Sequence, residues 1–162
     1  MKAETQVDLL VADEAWIATA ILHRENPDRE DFSVQEIVDR AVAENITGRL
    51  RPGVEVHVRF HCVANRAPKP ARLRMLYDTG QGRRLYREVD ACHAGRTGKI
   101  TPEPNDIPEE YRFLLDWYRR EYAPPPQDTW LHGIFDMVGA GKELFAGVDP
   151  DEYVRRNREG WE

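Results

Sequence analysis

Cysteine is scarce in this chain. Cys62 and Cys92 are the only two in 162 residues, far apart and in no metal-type spacing. A disulfide framework is thereby excluded, and the pair reads as reduced cytosolic thiols. Long apolar runs are missing too. No stretch approaches the roughly 18 residues that a membrane span needs. The start, MKAETQVDLLVADEAW, carries acids and no long apolar stretch, so no signal peptide is expected. These absences point to the cytoplasm. Internal repeats are absent, which excludes a solenoid. There is no Gly-x-Ser-x-Gly, no P-loop and no dinucleotide fingerprint, so neither enzyme chemistry nor a cofactor is expected. Thr79-Gly80-Gln81-Gly82 is glycine-rich, but its neighbours read as hairpin strands, which makes it a turn rather than a phosphate cradle.

What is present suits one domain of ordinary size with an appendage. A hydrophobic fraction of 41% supports a modest core, and 9% aromatics argue against disorder of the whole chain. The net charge of −6 conceals an asymmetry. Residues 46–99 hold twelve Lys and Arg against four acids, an excess of +8; the remainder holds eleven against twenty-five, or −14. A basic block in an acidic chain is the footprint of a phosphate-backbone contact, or else a solvated basic face. Ten of the twelve are Arg, which suits bidentate recognition of phosphate or guanine.

Hydrophobic spacing predicts a helix from Asp13 to about Glu25, with Trp16, Ile17, Ala20 and Ile21 as its stripe and Asn26-Pro27 as its stop. Ser33 followed by Glu36 is a capping box, with Phe32 and Ile37 at staple positions. Val34, Ile37, Val38, Ala41 and Val42 are expected to face inward. Residues 54–65, VEVHVRFHCVAN, fit two readings. Strict alternation from Val54 to Cys62 favours a strand; as a helix, the buried stripe would be Val56, Phe60 and Val63. His57 and His61 would then share one helix face, as metal ligands do, but no further ligand motif accompanies them. Arg72–Tyr77 and Arg84–Glu88 are short β-prone runs around the loop DTGQGR. Pro108–Tyr122 reads as a last helix with Tyr111, Leu114, Leu115 and Tyr118 inward.

Helix, capped helix, turn, a third element ending in CVAN and a basic hairpin follow one another here. The stretch 51–87 resembles the third helix and wing of uncharacterised bacterial winged-helix families, through His57-Val58, Cys62, Asn65, Pro68 and Gly82 to Arg87. That resemblance implies a winged helix-turn-helix and a helix over 54–65. It also implies contact with operator DNA, for which Arg51, Arg59, Arg66, Arg72, Arg74, Arg83 and Arg84 are the candidates.

Beyond Pro124-Pro125-Pro126, which stiffen the chain, short apolar clusters alternate with Gly133, Gly139, Gly141 and Gly147. Pieces this short bury their apolar faces on a partner, or fold back on their own domain. Ile134 to Val138, Gly139-Ala140-Gly141, Leu144-Phe145 and Asp149-Pro150-Asp151-Glu152-Tyr153 through Arg158 to Trp161 resemble the tail of type II antitoxins of the VapB kind. Members of that family wrap a PIN-domain ribonuclease toxin and set basic side chains against its acidic metal site. The resemblance implies toxin contacts from Trp130, Ile134, Phe135, Val138, Leu144, Phe145, Tyr153, Val154, Arg155, Arg156, Arg158 and Trp161. The expected chain is α+β, mainly α. It comprises a winged helix-turn-helix domain over 8–122, a Pro-rich linker over 123–127 and an extended or helical partner-binding tail over 128–162. Its partners are a PIN-domain ribonuclease and operator DNA, with no membrane, as a homodimer or a hetero-oligomer with the toxin. The different reading is a nucleic-acid-binding adaptor or regulator whose tail recruits another protein.

Overall fold

The computed structural model describes residues 8–49 and 51–125. The chain divides into two units, Met1–Pro124 and Pro125–Glu162, and every element described belongs to the first. It is a mainly helical α+β unit of four helices and one two-stranded antiparallel hairpin.

Helix α1, Val11–Glu25, is the centre of the core. Trp16, Ile17 and Ala20 are wholly buried, as their helical spacing predicts. Two acids in its first turn, Asp13 and Glu14, are buried as well. The positive end of the helix dipole favours them there. Each also has a cation: Lys99 Nζ lies 2.7 Å from Asp13 Oδ1, and Arg51 Nε lies 3.3 Å from Glu14 Oε2.

Helix α2, Val34–Glu44, starts on the capping box, with Ser33 Oγ accepting from Glu36 N and Glu36 accepting from Ser33 N. It stops at Asn45, which takes the left-handed conformation that Asn tolerates. Ile37 and Ala41 are buried, but Val42 is 53% exposed, so the inward face is narrower than expected.

Residues 54–61 are helical, and 62–65 turn out of the helix, with Val63 in a parallel bridge to Leu76. Helix α3, Gly53–Val56, runs on into a π-helical turn, His57–His61. Its buried line is Val54, Val58 and Cys62, not Val56 and Phe60, which are exposed. The strands are shorter than expected: β1 is Leu76–Asp78 and β2 is Arg83–Leu85. Upstream, the Arg74 amide donates to Lys99 O instead, and the Met75 and Leu76 amides both donate to Cys62 O. Register pairs Leu76 with Leu85, Tyr77 with Arg84 and Asp78 with Arg83. One residue before the α2 cap, Phe32 pairs antiparallel with Arg83 through bonds of 2.8 and 2.9 Å. The hairpin thus gains a third, one-residue strand. Helix α4, Phe113–Trp117, follows a 3-10 turn and continues as a π-helical turn to Tyr122. Leu114, Leu115 and Tyr118 pack on the core, and Tyr118 donates its hydroxyl to Tyr86 O. No helix among the described residues is long and apolar enough to cross a membrane.

Candidate nucleic-acid interface

The basic block divides into an inner and an outer set. Arg96 is the extreme inner case, at 3% exposure. Its Nε donates to Arg66 O, Nη1 to His61 O and Leu73 O, and Nη2 to Phe60 O and Ala67 O, at 2.6–3.3 Å. A guanidinium has five N–H donors, and all five are used. Two of the carbonyls, Phe60 O and His61 O, belong to the last turn after α3, where the dipole favours a cation; Phe60 O also accepts from Val63 N at 3.4 Å. Burial lowers the Arg96 pKa, but an arginine stays charged.

Arg83 and Arg84 are also inside. Arg83 donates Nε to Val58 O at 3.1 Å and Nη1 to Asp78 Oδ1 at 2.8 Å, tying β2 to α3. Arg84 grips Asp90 through two bonds of 2.7 and 2.8 Å and lies 4.3 Å over the Tyr77 ring. Arg51 donates to Leu9 O at 2.6 Å, and Arg74 donates to Gly98 O at 2.9 Å. Of the seven arginines that the winged-helix resemblance assigns to DNA, these four hold the fold.

The outer set is Arg59, Arg66 and Arg72, joined by Arg49 and Lys69. Arg59 Nε bonds Glu55 at 2.8 Å, and Arg66 Nε bonds Asp78 at 2.6 Å. Burial lowers the Arg83 pKa, Asp78 opposes it, and the charges of Arg66 and Arg59 push the same way as burial. Arg66 and Arg83 both bond Asp78, at 2.6 and 2.8 Å, and Arg83 also bonds Val58 O, the residue before Arg59, so the three meet at the corner where the turn after α3 reaches the hairpin. Burial raises the pKa of Asp78, but the Gly80 amide, Arg66 and Arg83 outweigh it and hold the carboxyl below its usual range. Arg49, Lys69 and Arg72 have no ion-pair partner among the described residues.

Asn65 frames this corner. Its side chain donates to Asp78 O and accepts from Asp78 N, both at 2.9 Å, as a neighbouring strand would. Cys62 is fully buried, and burial pushes its thiol up to about 12, so it is a core residue and not a reactive one. His57 Nδ1 meets Gly53 O at 2.9 Å, and the His57 and His61 rings stand 4.7 Å apart, edge to face. Burial, then His57 and Arg96, lower the His61 pKa and favour its neutral form. No group of three metal-type ligands occurs among the described residues. A cleft of about 620 Å³ opens between α2 and the start of α3, walled by Val38, Ala41, Val42 and Val54, with Glu14 and Arg51 at its side.

The role of Arg96 was not legible in the sequence, because nothing local marks an arginine whose acceptors lie about 30 residues away. The toxin-binding candidates Trp130, Ile134, Phe135, Val138, Leu144, Phe145, Tyr153, Val154, Arg155, Arg156, Arg158 and Trp161 lie outside the described residues. No family model, curated protein or solved structure matches the chain.

Proposed function

We propose that the chain is the antitoxin of a type II pair. Residues 8–122 act as a winged helix-turn-helix domain on operator DNA, and residues 128–162 neutralise a PIN-domain ribonuclease. The observation that carries the DNA half is the Phe32–Arg83 pairing. It makes the segment before α2 a strand of the hairpin, so that α2, α3 and the hairpin form one unit in the order of a winged helix. In such a unit the second helix of the pair enters the major groove and the hairpin flanks it. Here that helix is α3 with its π-helical turn, which carries Arg59, and Arg66 follows five residues after the turn. The tail half rests on the likeness of residues 134–161 to VapB-type tails.

Duplex from upstream of the gene, titrated with the full chain over a range of salt, tests the first half. Steeply falling affinity with salt is expected, because each neutralised phosphate releases counterion. Arg66→Ala with Arg72→Ala should flatten that slope by about two phosphate contacts. An affinity that neither the substitutions nor the salt changes removes the DNA reading. Co-purification with the product of the adjacent reading frame tests the second half. A partner with no nuclease activity would favour the adaptor reading instead.

A further inference from the structure

Four i, i+4 pairs wrap α3 and its π-helical turn. Successive residues sit about 100° apart around a helix. Val54 and Val58 point to the core, at 3% and 0% exposure. Glu55 and Arg59 lie to one side, bonded at 2.8 Å, and His57 and His61 to the other, with rings 4.7 Å apart. The line opposite the core, about 200° round, is therefore Val56 and Phe60. They are 43% and 49% exposed. So the outermost edge of this helix is apolar, and charge stands only on its flank.

An apolar edge of two side chains is too narrow for a protein partner. A stable protein interface takes roughly 800 Å² from each side. The edges of base pairs in the major groove offer one apolar feature, the C5-methyl of thymine. We propose that Val56 and Phe60 contact thymine methyl groups, so that the target duplex carries thymine under the middle of α3. The flank adds a second requirement. Glu55 holds Arg59 through Nε alone, and the terminal nitrogens of Arg59 have no partner among the described residues. They are left to donate as a pair to O6 and N7 of a guanine beside those thymines. The exposed charges of Arg66, Lys69 and Arg72, on the segment that follows, are available to the phosphates. This inference rests on the DNA-binding reading proposed above.

The test uses the full-length chain and a duplex selected from a random pool. Uracil then replaces thymine one position at a time, which removes only the methyl. At the positions under α3, affinity should fall about three- to fivefold per methyl lost, the value of one buried methyl group. A Val56→Ala, Phe60→Ala double variant, shown to be folded by its circular dichroism and melting, should bind both duplexes alike. Arg59→Lys should relax selection at the guanine and leave the uracil effect in place. Equal wild-type affinity for both duplexes, with steep salt dependence retained, overturns the methyl contact and spares the DNA reading. No salt-dependent binding to any duplex overturns both. If the double variant keeps the uracil effect but loses the adjacent gene's product in a pull-down, the edge is a protein contact and the inference is wrong.

Discussion

Arginine in this chain does two jobs that a residue count cannot separate. A guanidinium with five fixed donors serves a phosphate or a set of carbonyls equally well. Arg96 takes the second role and organises the chain between His61 and Leu73. A lysine there keeps the charge but offers three donors from one point, so at least two carbonyls lose their partner. Arg96→Lys should destabilise the unit by about 2 kcal/mol or more, read by urea unfolding. A change under about 0.5 kcal/mol would mean that water serves those carbonyls as well as the guanidinium does. His23 sets an acid limit. It is buried between Phe32 and Tyr122, with Leu85 N donating to its Nε2 at 3.4 Å. Burial, then Arg87 and Arg84, bring its pKa from 6.5 down to about 4. The unfolded chain therefore takes up this proton first. Stability is complete above 6.5 and is lost as pH falls towards 4, by about 3 kcal/mol at most. Asp13 and Glu14, both raised by burial, act in the opposite direction over the acid range and blunt the loss. His23→Gln keeps an acceptor and removes the titration. Urea midpoints should then fall less between pH 6.5 and 4 than in the wild type; an unchanged fall would assign the limit to other groups.

Helices α1 and α2 were legible because each has one apolar face and an end signal of its own: Asn26-Pro27 for the first, the Ser33–Glu36 box for the second. Helix α3 was not, and the reason is geometric. It carries one apolar line at 54, 58 and 62 and a second at 56 and 60, on opposite sides. Added together they alternate, which is the signature of a strand. Only the tertiary arrangement tells which line is buried. The hairpin was legible as a hairpin, but its third strand was not, since one residue of pairing leaves no pattern. Gly82 reports on that strand. A Cβ on it would stand 2.6 Å from Phe32 O, which is backbone and cannot move aside without parting the strands. Gly80, two residues earlier, has a φ of +91° and open space around it. Gly82→Ala should therefore cost about 2 kcal/mol or more, through lost pairing of Phe32 with Arg83. Gly80→Ala should cost about 1–2 kcal/mol, through its backbone angle alone. Chemical unfolding ranks the two. Amide exchange at Phe32 and Arg83 should quicken in the first variant only; protection retained there would show that the pairing tolerates the methyl group.

The whole molecule separates its charges by role. Between residues 46 and 99 the cations are in excess, yet five of the twelve, Arg51, Arg74, Arg83, Arg84 and Arg96, bond within the fold, which leaves a modest outer arc for the proposed DNA contact. The tail from Asp128 onward has eight acids and four cations, and three of those cations, Arg155, Arg156 and Arg158, fall within its last eight residues. An acidic segment that concentrates its arginines at one end is suited to an acidic target at that end. A PIN nuclease site is such a target, a cluster of carboxylates around a divalent metal, and an arginine placed among them substitutes for the metal's charge. By sequence, Asp149-Pro150 reads as a helix start, and a helix from there would set Tyr153 and Trp161 on one side at i, i+8, as a seat beside the site. Anchoring and inhibition should then come apart. Trp161→Ala should weaken toxin binding by about 2 kcal/mol, as loss of a buried aromatic anchor does. Replacing Arg155, Arg156 and Arg158 together by Ala should leave the complex intact in a pull-down but release nuclease activity, scored as growth arrest on co-expression. Ending the chain after Pro126 should abolish neutralisation and leave salt-dependent DNA binding in place, since every described element precedes that point. A triple alanine variant that still neutralises fully would show that the arginines do not enter the site, and that the tail inhibits by steric cover alone.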